Sequence, residues 1–329
     1  MKIGKLPNSL LEKIVIEPIN RHSTERKEVL LKPSVGEDCS ALDLGNNICL
    51  LSTDPITGAV EDIGKLAVHI NANDIASSGG EPVGIMVTAL LPVKITEGEI
   101  SKIIEDLYSE AKKVNIAVLG GHTEITDAVN KPVLSCTVVG KTKRLISSGG
   151  AKAGDCVVMT KYAGMEGTAI FANDKTDMLC NIDRDVIEKA RKLSNCLSVI
   201  KEGEIGAALG AHAMHDVTEG GILGACWEIA DCAGLGIEVY AENIPVLDET
   251  KIICKALGVD YLRLISSGSM LIVCENGEEM TKAISEKGIK ASIIGKITKG
   301  EKFIISGGEK SVLLSLIHIS EPTRPISIS

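Results

Sequence analysis

Acidic residues stand at four places in the first half of the chain where apolar segments end. They are Glu37–Asp38, Asp54, Asn73–Asp74 and the run Gly120-Gly121-His122-Thr123-Glu124. Taken singly, each acid can serve as a cap or a turn residue. Carboxylates gathered with glycine-exposed backbone N–H groups suit magnesium and a polyphosphate. Magnesium takes oxygen ligands and keeps waters and substrate phosphates in its shell. Glycine lets backbone amides approach phosphate oxygens closely. Neither a Walker A sequence nor a GxGxxG is present, so P-loop and Rossmann nucleotide binding have no support.

The sharpest of these positions is Asp74, in DIGKLAVHINANDIASSGGEP (62–82). Ile63, Leu66, Ala67 and Ile70 recur at the one-face spacing of a helix, closed by Gly79, Gly80 and Pro82. Asp74 is the next position in that series, so it projects onto the apolar face. A carboxylate there is costly to bury unless a partner, a cation or a magnesium-bound phosphate compensates it. Asn73 can add an amide. Alternatively the helix ends early and Asp74 only caps a turn. Lys65 projects nearly opposite Asp74 and is expected in solvent.

The elements that must position these residues follow from the pattern. Residues 1–30 begin helical and turn polar. Cys39–Leu44 and Ile48–Thr53 read as a hairpin turned by Asn46-Asn47, with Asp54 just beyond it. VGIMVTALLPV is a strand. Glu97–Asn115 is a helix capped by Thr96 with Glu99 three residues on. IAVLGGHTEITDA reads as a buried strand running into a glycine turn, and Pro132–Gly140 as another strand. Residues 141–153 are rich in Ser, Gly and Lys and mark a boundary. A second α/β unit follows: a strand in GDCVVMTKYAG, helices at Glu166–Ala172 and Arg184–Leu193, and HAMHDVTEGG leading into a helix. The helical DETKIICKALGV and strands in SSGSMLIVC and ASIIGKI complete it. The expected division is 1–145, 146–314, and a loosely packed tail 315–329, SLIHISEPTRPISIS, which lacks a period able to form a buried face.

With 329 residues, 44% of them hydrophobic, the chain can build two cores. A net charge of -9 excludes a basic nucleic-acid footprint. One Trp, four Tyr and two Phe leave little with which to stack bases. No apolar run approaches a membrane span, and the N-terminus has no signal-peptide pattern. The ten cysteines are scattered, without a CxxC pair, and read as buried reduced thiols. A cytoplasmic protein is expected.

GEDCSAL, TDP, DIGKLAVHINANDIASSGGEP, GGHTE and HDVTEGG, in this order, resemble the AIR synthase-related (PurM-like) superfamily over roughly residues 30–300. Members include aminoimidazole ribonucleotide synthetase, thiamine-monophosphate kinase, selenophosphate synthetase and the hydrogenase-maturation protein HypE. The DIGKLAV and GMEGTAIFA segments are most similar to HypE and its relatives. The resemblance implies an α/β N-terminal domain whose strands form a dimer barrel, an α/β C-terminal domain, and ATP with Mg2+ in the cleft between them. It makes Asp38, Asp54 and Asp74 magnesium or phosphate ligands, with Glu37 a weaker candidate. Gly120, Gly121 and Thr123 become a phosphate-contacting turn. Asp216 reaches in from the second domain as a further metal and catalytic ligand, and Gly220 and Gly221 open the next helix. His215 could carry a proton, though a histidine at a strand end is also commonly structural. His122 replaces an acid of other members and could donate to phosphate or pack.

The implied function is ATP-dependent activation of a carbonyl or amide oxygen by a HypE-like enzyme. A small-molecule kinase of the thiamine-monophosphate type is the alternative, and a non-catalytic ATP-binding scaffold a third. The partners implied are a second copy of the chain, a carbamoyltransferase-type maturation protein, and a small-molecule or protein-thiol substrate. Two departures matter. The cysteine- and lysine-bearing N-terminal segment of selenophosphate synthetases is missing, and no cysteine follows Cys274, whereas HypE ends in one.

Overall fold

The first strands double back at Leu44–Asn47, where Gly45 takes a left-handed φ of 98° that a side chain would resist. The expected asparagine pair lies in this turn, and Gly45 supplies its left-handed residue. The computed structural model describes residues 8–17, 29–31, 34–37, 39–57 and 62–314. Asp38 and the tail 315–329 lie outside the described residues. After a short helix α1 (Asn8–Leu11) come β1 (Val29–Leu31), β2 (Ser40–Asp43) and β3 (Ile48–Ile56). β3 runs on past the expected end, so Asp54 lies inside a strand. Along β3, Leu50, Ser52, Asp54 and Ile56 share the face that turns inward.

Helix α2 (Ile63–Ser77) follows, then β4 (Glu81–Pro92), α3 (Glu97–Lys113), β5 (Ala117–Thr126) and β6 (Val133–Thr142). The sheet order is β1-β2-β3-β6-β4-β5. Thr96 caps α3 as expected: its hydroxyl accepts the Glu99 N–H, and the Glu99 carboxylate accepts the Thr96 N–H at 2.7 Å. Ile103, Leu107 and Ala111, one helical turn apart, turn α3 inward.

One expectation fails here. Gly120 and Gly121 do not end a buried strand. They lie within β5, the exposed edge strand, which pairs in parallel with β4. Gly121 is needed for close approach, because a Cβ there would fall 1.8 Å from the Val87 carbonyl oxygen.

The second unit contains β7 (Cys156–Thr160), α4 (Met165–Asp174), α5 (Arg184–Arg191), α6 (Ile200–Ala208), β8 (Ala213–Asp216), α7 (Gly221–Cys232), β9 (Gly236–Tyr240) and α8 (Asp248–Leu257). It continues with β10 (Met270–Cys274), α9 (Gly277–Glu286), β11 (Ala291–Thr298), β12 (Lys302–Ser306) and β13 (Glu309–Val312). Its sheet runs β13-β12-β9-β11-β7-β10-β8. Helices α6 and α9 and the β12–β13 hairpin were not read from the sequence. Short length and interrupting glycines blur α6, whose Gly203 and Gly206 both face inward.

Helix α2 joins the two units and is buried nearly all round: only Lys65 and Ile70 of its 15 residues are not buried. Gly64 lets α3 approach, and Gly203 of α6 lets the second unit approach, since a Cβ there would meet the Ala76 carbonyl oxygen at 2.5 Å. Ala76 belongs to the core built from Met214, Met270 and Ile272 of the second sheet.

Candidate functional site

Asp74 is inside helix α2, not at its end, and is 5% exposed. Its carboxylate accepts a hydrogen bond from the Ser52 hydroxyl on β3. Its main-chain carbonyl accepts from Ser77 Oγ at 2.8 Å and from Cys39 Sγ at 3.1 Å. The thiol of Cys39 therefore ties the loop after Glu37 to the same turn of helix. One turn before Asp74, Asn71 Oδ1 accepts the Asp54 N–H at 2.9 Å, and its Nδ2 donates to the Ala67 carbonyl at 3.0 Å. β3 and α2 thus present Asp54 and Asp74 together, through two polar residues, Ser52 and Asn71, whose own places are fixed by strand and helix periodicity.

Asn73 does something different from its expected cofactor contact. Its Nδ2 donates to the Leu197 carbonyl at 2.8 Å, and its Oδ1 accepts the Val199 N–H at 2.9 Å. Both ends of the amide thus join α2 to the second unit. Lys65 is likewise not free in solvent: its Nζ donates to Asn195 Oδ1 at 2.6 Å.

The second unit brings β8 against α2. His215 and Asp216, the last two residues of β8, are both buried. His215 Nε2 lies 3.0 Å from Glu228 Oε2 on α7. Gly220 (φ 88°) and Gly221 (φ 61°) open α7 as expected, and Gly221 sits where a Cβ would meet the Leu262 and Leu264 carbonyl oxygens at 2.6 Å.

Glu37 accepts a hydrogen bond from Ser147 Oγ, and the neighbouring Val35 carbonyl accepts from Cys232 Sγ at 3.1 Å. Glu228 lies beside Gly36 in this contact. The loop leading to Asp38 therefore packs against α7, next to the His215–Glu228 pair.

Gly120, Gly121, His122 and Thr123 are not part of this cluster. Asp54 pairs with Cys136, Cys136 with Val87, and Val87 with Gly121, so three strand spacings separate Asp54 from Gly121. At ~4.8 Å per spacing that is roughly 14 Å. His122 is exposed and lies 3.5 Å from Glu124. Among the described residues no three His, Cys, Asp or Glu side chains form a group able to hold a metal ion by themselves.

Ser52, Asn71, Glu228 and Glu166 were not singled out from the sequence. Ser52 had a usable signal, since it lies two residues before Asp54 on the same face of a strand. Glu166 stands in the first turn of α4, is 4% exposed, and accepts the Ser267 N–H at 3.3 Å. Burial pushes its carboxyl up to about 7; hydrogen bonds from Ser267 oppose this, and the nearby Glu219 charge adds to it.

Two α/β units joined through a buried helix define a two-domain α/β protein. Residues 36–142 match the AIR synthase related protein N-terminal domain, and residues 152–307 match the AIR synthase related protein C-terminal domain. The chain belongs to the AIR synthase related protein family. A Methanocaldococcus jannaschii protein named for hydrogenase expression and formation is 27% identical over 281 residues, 82% of each chain. Carbamoyl dehydratase HypE of Rhizobium leguminosarum is 24% identical, over 82% of this chain and 79% of that one. Thiamine-monophosphate kinase of Pyrococcus abyssi is 25% identical, over 84% and 87%. Among solved structures, HypE in a HypE–HypF complex superimposes with a TM-score of 0.73 at 22% identity, covering 92% of this chain and 99% of that one. HypE in complex with ATP gives 0.69 at 20%, covering 100% and 98%. Among the described residues no helix is long and apolar enough to cross a membrane.

The raised Glu166 pKa fixes a pH dependence of stability. The folded state holds a proton on Glu166 up to about pH 7, whereas the unfolded chain releases it near the ordinary 4.5. Folding is therefore unpenalised below pH 4.5 and loses stability as pH rises from 4.5 through 7, by on the order of 3 kcal/mol. Glu166→Gln removes this penalty. Thermal melts should give a variant several degrees more stable than wild type at pH 8 and equal to it near pH 4.5. Equal melting temperatures at both pH values would contradict the assignment.

Proposed function

We propose that the chain is an ATP- and magnesium-dependent enzyme of the HypE kind, which activates a carbonyl or amide oxygen by phosphorylation. The observation that carries this reading is the buried Asp74 carboxylate, bonded by Ser52 two residues from Asp54, on the helix against which β8, the strand that ends in Asp216, packs. Relatives named as carbamoyl dehydratase and as thiamine-monophosphate kinase, and a HypE structure with ATP, support the nucleotide.

The donor set fits a hard cation. Asp54, Asp74 and Asp216 offer oxygen only, and magnesium needs one or two carboxylates once phosphates and waters fill its shell. These residues, with Asp38 in the sequence beside Cys39, would hold magnesium, whose bound charge neutralises the transferring phosphoryl group. The acceptor oxygen attacks the γ-phosphorus and ADP leaves. When the activated oxygen is expelled, it departs as phosphate and the acceptor loses its protons to a base. His215, hydrogen-bonded with Glu228, would take one of them. Glu37, held by Ser147, borders the same junction. Gly220 and Gly221 shape the turn into α7 and support a phosphate-binding role for that turn.

The likeness to thiamine-monophosphate kinase of Pyrococcus abyssi keeps a small-molecule kinase as the second reading. For the HypE reading, the HypE–HypF complex supports a carbamoyltransferase-type partner.

Assembly completes the reading. The β4–β5 edge exposes Val83, Met86, Val118, Leu119 and Ile125, an apolar surface and open strand edge that a second copy would cover. In such a homodimer Gly120, Gly121, His122 and Thr123 would serve a site only across the two-fold, since within one chain they stand apart from it.

Two outcomes are expected. Calorimetry should give ATP binding that requires magnesium and weakens at least tenfold, ~1.4 kcal/mol, in Asp74→Asn. Equal affinity with magnesium and with EDTA would refute the reading, while binding without phosphate release toward any acceptor would favour a scaffold. Light scattering at micromolar concentration should give twice the chain mass of 34.7 kDa, and Leu119→Glu with Ile125→Glu should halve it. A monomeric wild type would refute the dimer.

A further inference from the structure

The strand register of the second sheet sets Cys156 directly opposite Cys274. β7 and β10 run antiparallel, and Cys156 pairs with Cys274 just as Val158 pairs with Ile272. Among the described strand pairings no other brings two cysteines opposite each other. We propose that these two thiols are a redox pair, which a small-molecule disulfide closes to a Cys156–Cys274 disulfide and small thiols reopen.

Three observations carry the inference. First, the two residues are within reach. Directly opposite residues of an antiparallel pair have Cα atoms ~4.5–5.5 Å apart, inside the range of roughly 4.4–6.8 Å that a disulfide takes. Opposite partners also point to the same face of the sheet. Here that face carries α9. Cys274 shares a core with Met280 and Ile284 of that helix. Gly277, the first residue of α9, packs so near Cys156 that a Cβ on the glycine would stand 3.0 Å from Cys156 Sγ.

Second, the two thiols differ as an attacking and a resolving thiol must. Cys156 is partly exposed and open to a small reagent. Cys274 is 3% exposed. Burial pushes its thiol up to about 12, and the neighbouring Cys156, Asp155 and Glu279 charges add to this. A buried, protonated thiol is a poor nucleophile toward a reagent in solvent. The first step therefore belongs to Cys156, and Cys274 reacts only with the sulfur beside it.

Third, the bond is easily reopened. Cβ atoms of opposite residues stand ~4.5–5.5 Å apart, whereas a disulfide holds them at roughly 3.5–4.5 Å. Closing the bond draws β7 and β10 together, and a strained disulfide is readily reduced. All ten cysteines are free, as a pair that closes only transiently requires.

The chemistry balances in two exchanges. The Cys156 thiolate attacks one sulfur of the small disulfide, whose S–S bond breaks and releases one thiol. Cys274 then gives up its proton and attacks the Cys156 sulfur of the mixed disulfide, expelling the second thiol. Two protein thiols are oxidised, and one small disulfide is reduced to two thiols. The pair lies at the end of β10 away from Met270, which is the residue opposite Asp216. It is thus a site apart from the acidic residues and independent of the proposed activity.

The test equilibrates the full, folded, reduced chain with millimolar oxidised glutathione, blocks the remaining thiols with an alkylating reagent, and maps peptides by mass spectrometry without reduction. A peptide joining Cys156 to Cys274 is expected in most molecules, and dithiothreitol should abolish it. Cys274→Ser should leave Cys156 carrying glutathione as a lasting mixed disulfide, and Cys156→Ser should leave Cys274 unmodified. The oxidised wild type should melt several degrees above the reduced form, because the bond closes most of the second unit into one loop. Cys156→Ser should lose this difference. Three results would each overturn the proposal. One is the absence of the joined peptide under conditions that modify the exposed Cys180 and Cys196. Another is its formation only in denaturant. The third is Cys274 of the Cys156→Ser chain reacting as fast as Cys156 does in wild type. The wild-type map decides bond formation by itself, whichever variants fold.

Discussion

A carboxylate inside a helix that two domains enclose is the constraint on which this structure depends. Asp74 could be left at a surface with little cost, but α2 is packed by the first sheet, by α3 and by the second unit. Burying a charge there is tolerable only with hydrogen bonds fixed in advance and a compensating cation at hand. The neighbouring sequence meets the first requirement. Ser52 donates to the carboxylate, Ser77 and Cys39 hold its peptide carbonyl, and Asn71 aligns β3 with the helix. A helix with Asn71, Asn73, Asp74 and Ser77 on buried faces has poor amphipathic character, and these partners satisfy its buried polar groups while Ile63, Leu66, Val68 and Ile75 pack the core.

The same helix sets how the second domain meets the first. Asn73 takes the backbone at Leu197 and Val199 from one side. Lys161 takes it from the other. Its Nζ donates to the Ser198 carbonyl at 2.6 Å and the Gly268 carbonyl at 2.8 Å and pairs with the buried Glu202 at 2.5 Å. Lys161 holds a left-handed φ of 54°, unusual for a residue with a side chain. Three successive residues are thus gripped from both domains, and the grip lies one position from Asp74. Seen this way, Asn73 and Asp74 divide the labour of one helical turn: the first fixes the domain junction, the second presents charge into it.

Much of this was legible in the sequence, and the limits have physical causes. The run from Ile63 to Ile70 led the helix on to Asp74, but Asp74 is buried because the helix is enclosed nearly all round, and Ile70 of that run is itself not buried. The family motifs located His215, Asp216, Gly220 and Gly221 at a strand end and helix start. The errors arose where one residue type serves two backbones. Gly120-Gly121 reads as a turn, yet here the glycines let β5 lie close against Val87 as an extended edge strand. Asn73 reads as a ligand because an amide beside an acid is chemically apt, while its real partners are backbone groups more than 120 residues away, which no local pattern encodes. Glu228 was missed because its role exists only through the partner, His215, that folding gives it. Lys65 looked solvated from its position on the helix, but the second domain brings Asn195 to it.

On the proposed function, Asp74 is buried where it faces a metal-bound phosphate. Crystals grown with manganese in place of magnesium and a non-hydrolysable ATP analogue would show this through the anomalous signal of the metal. The expected result is a manganese peak liganded by Asp54 or Asp74, directly or through one water, with the analogue's phosphates on the same ion. A peak elsewhere, or a bound analogue with Asp74 still held by the protein alone, would contradict that role.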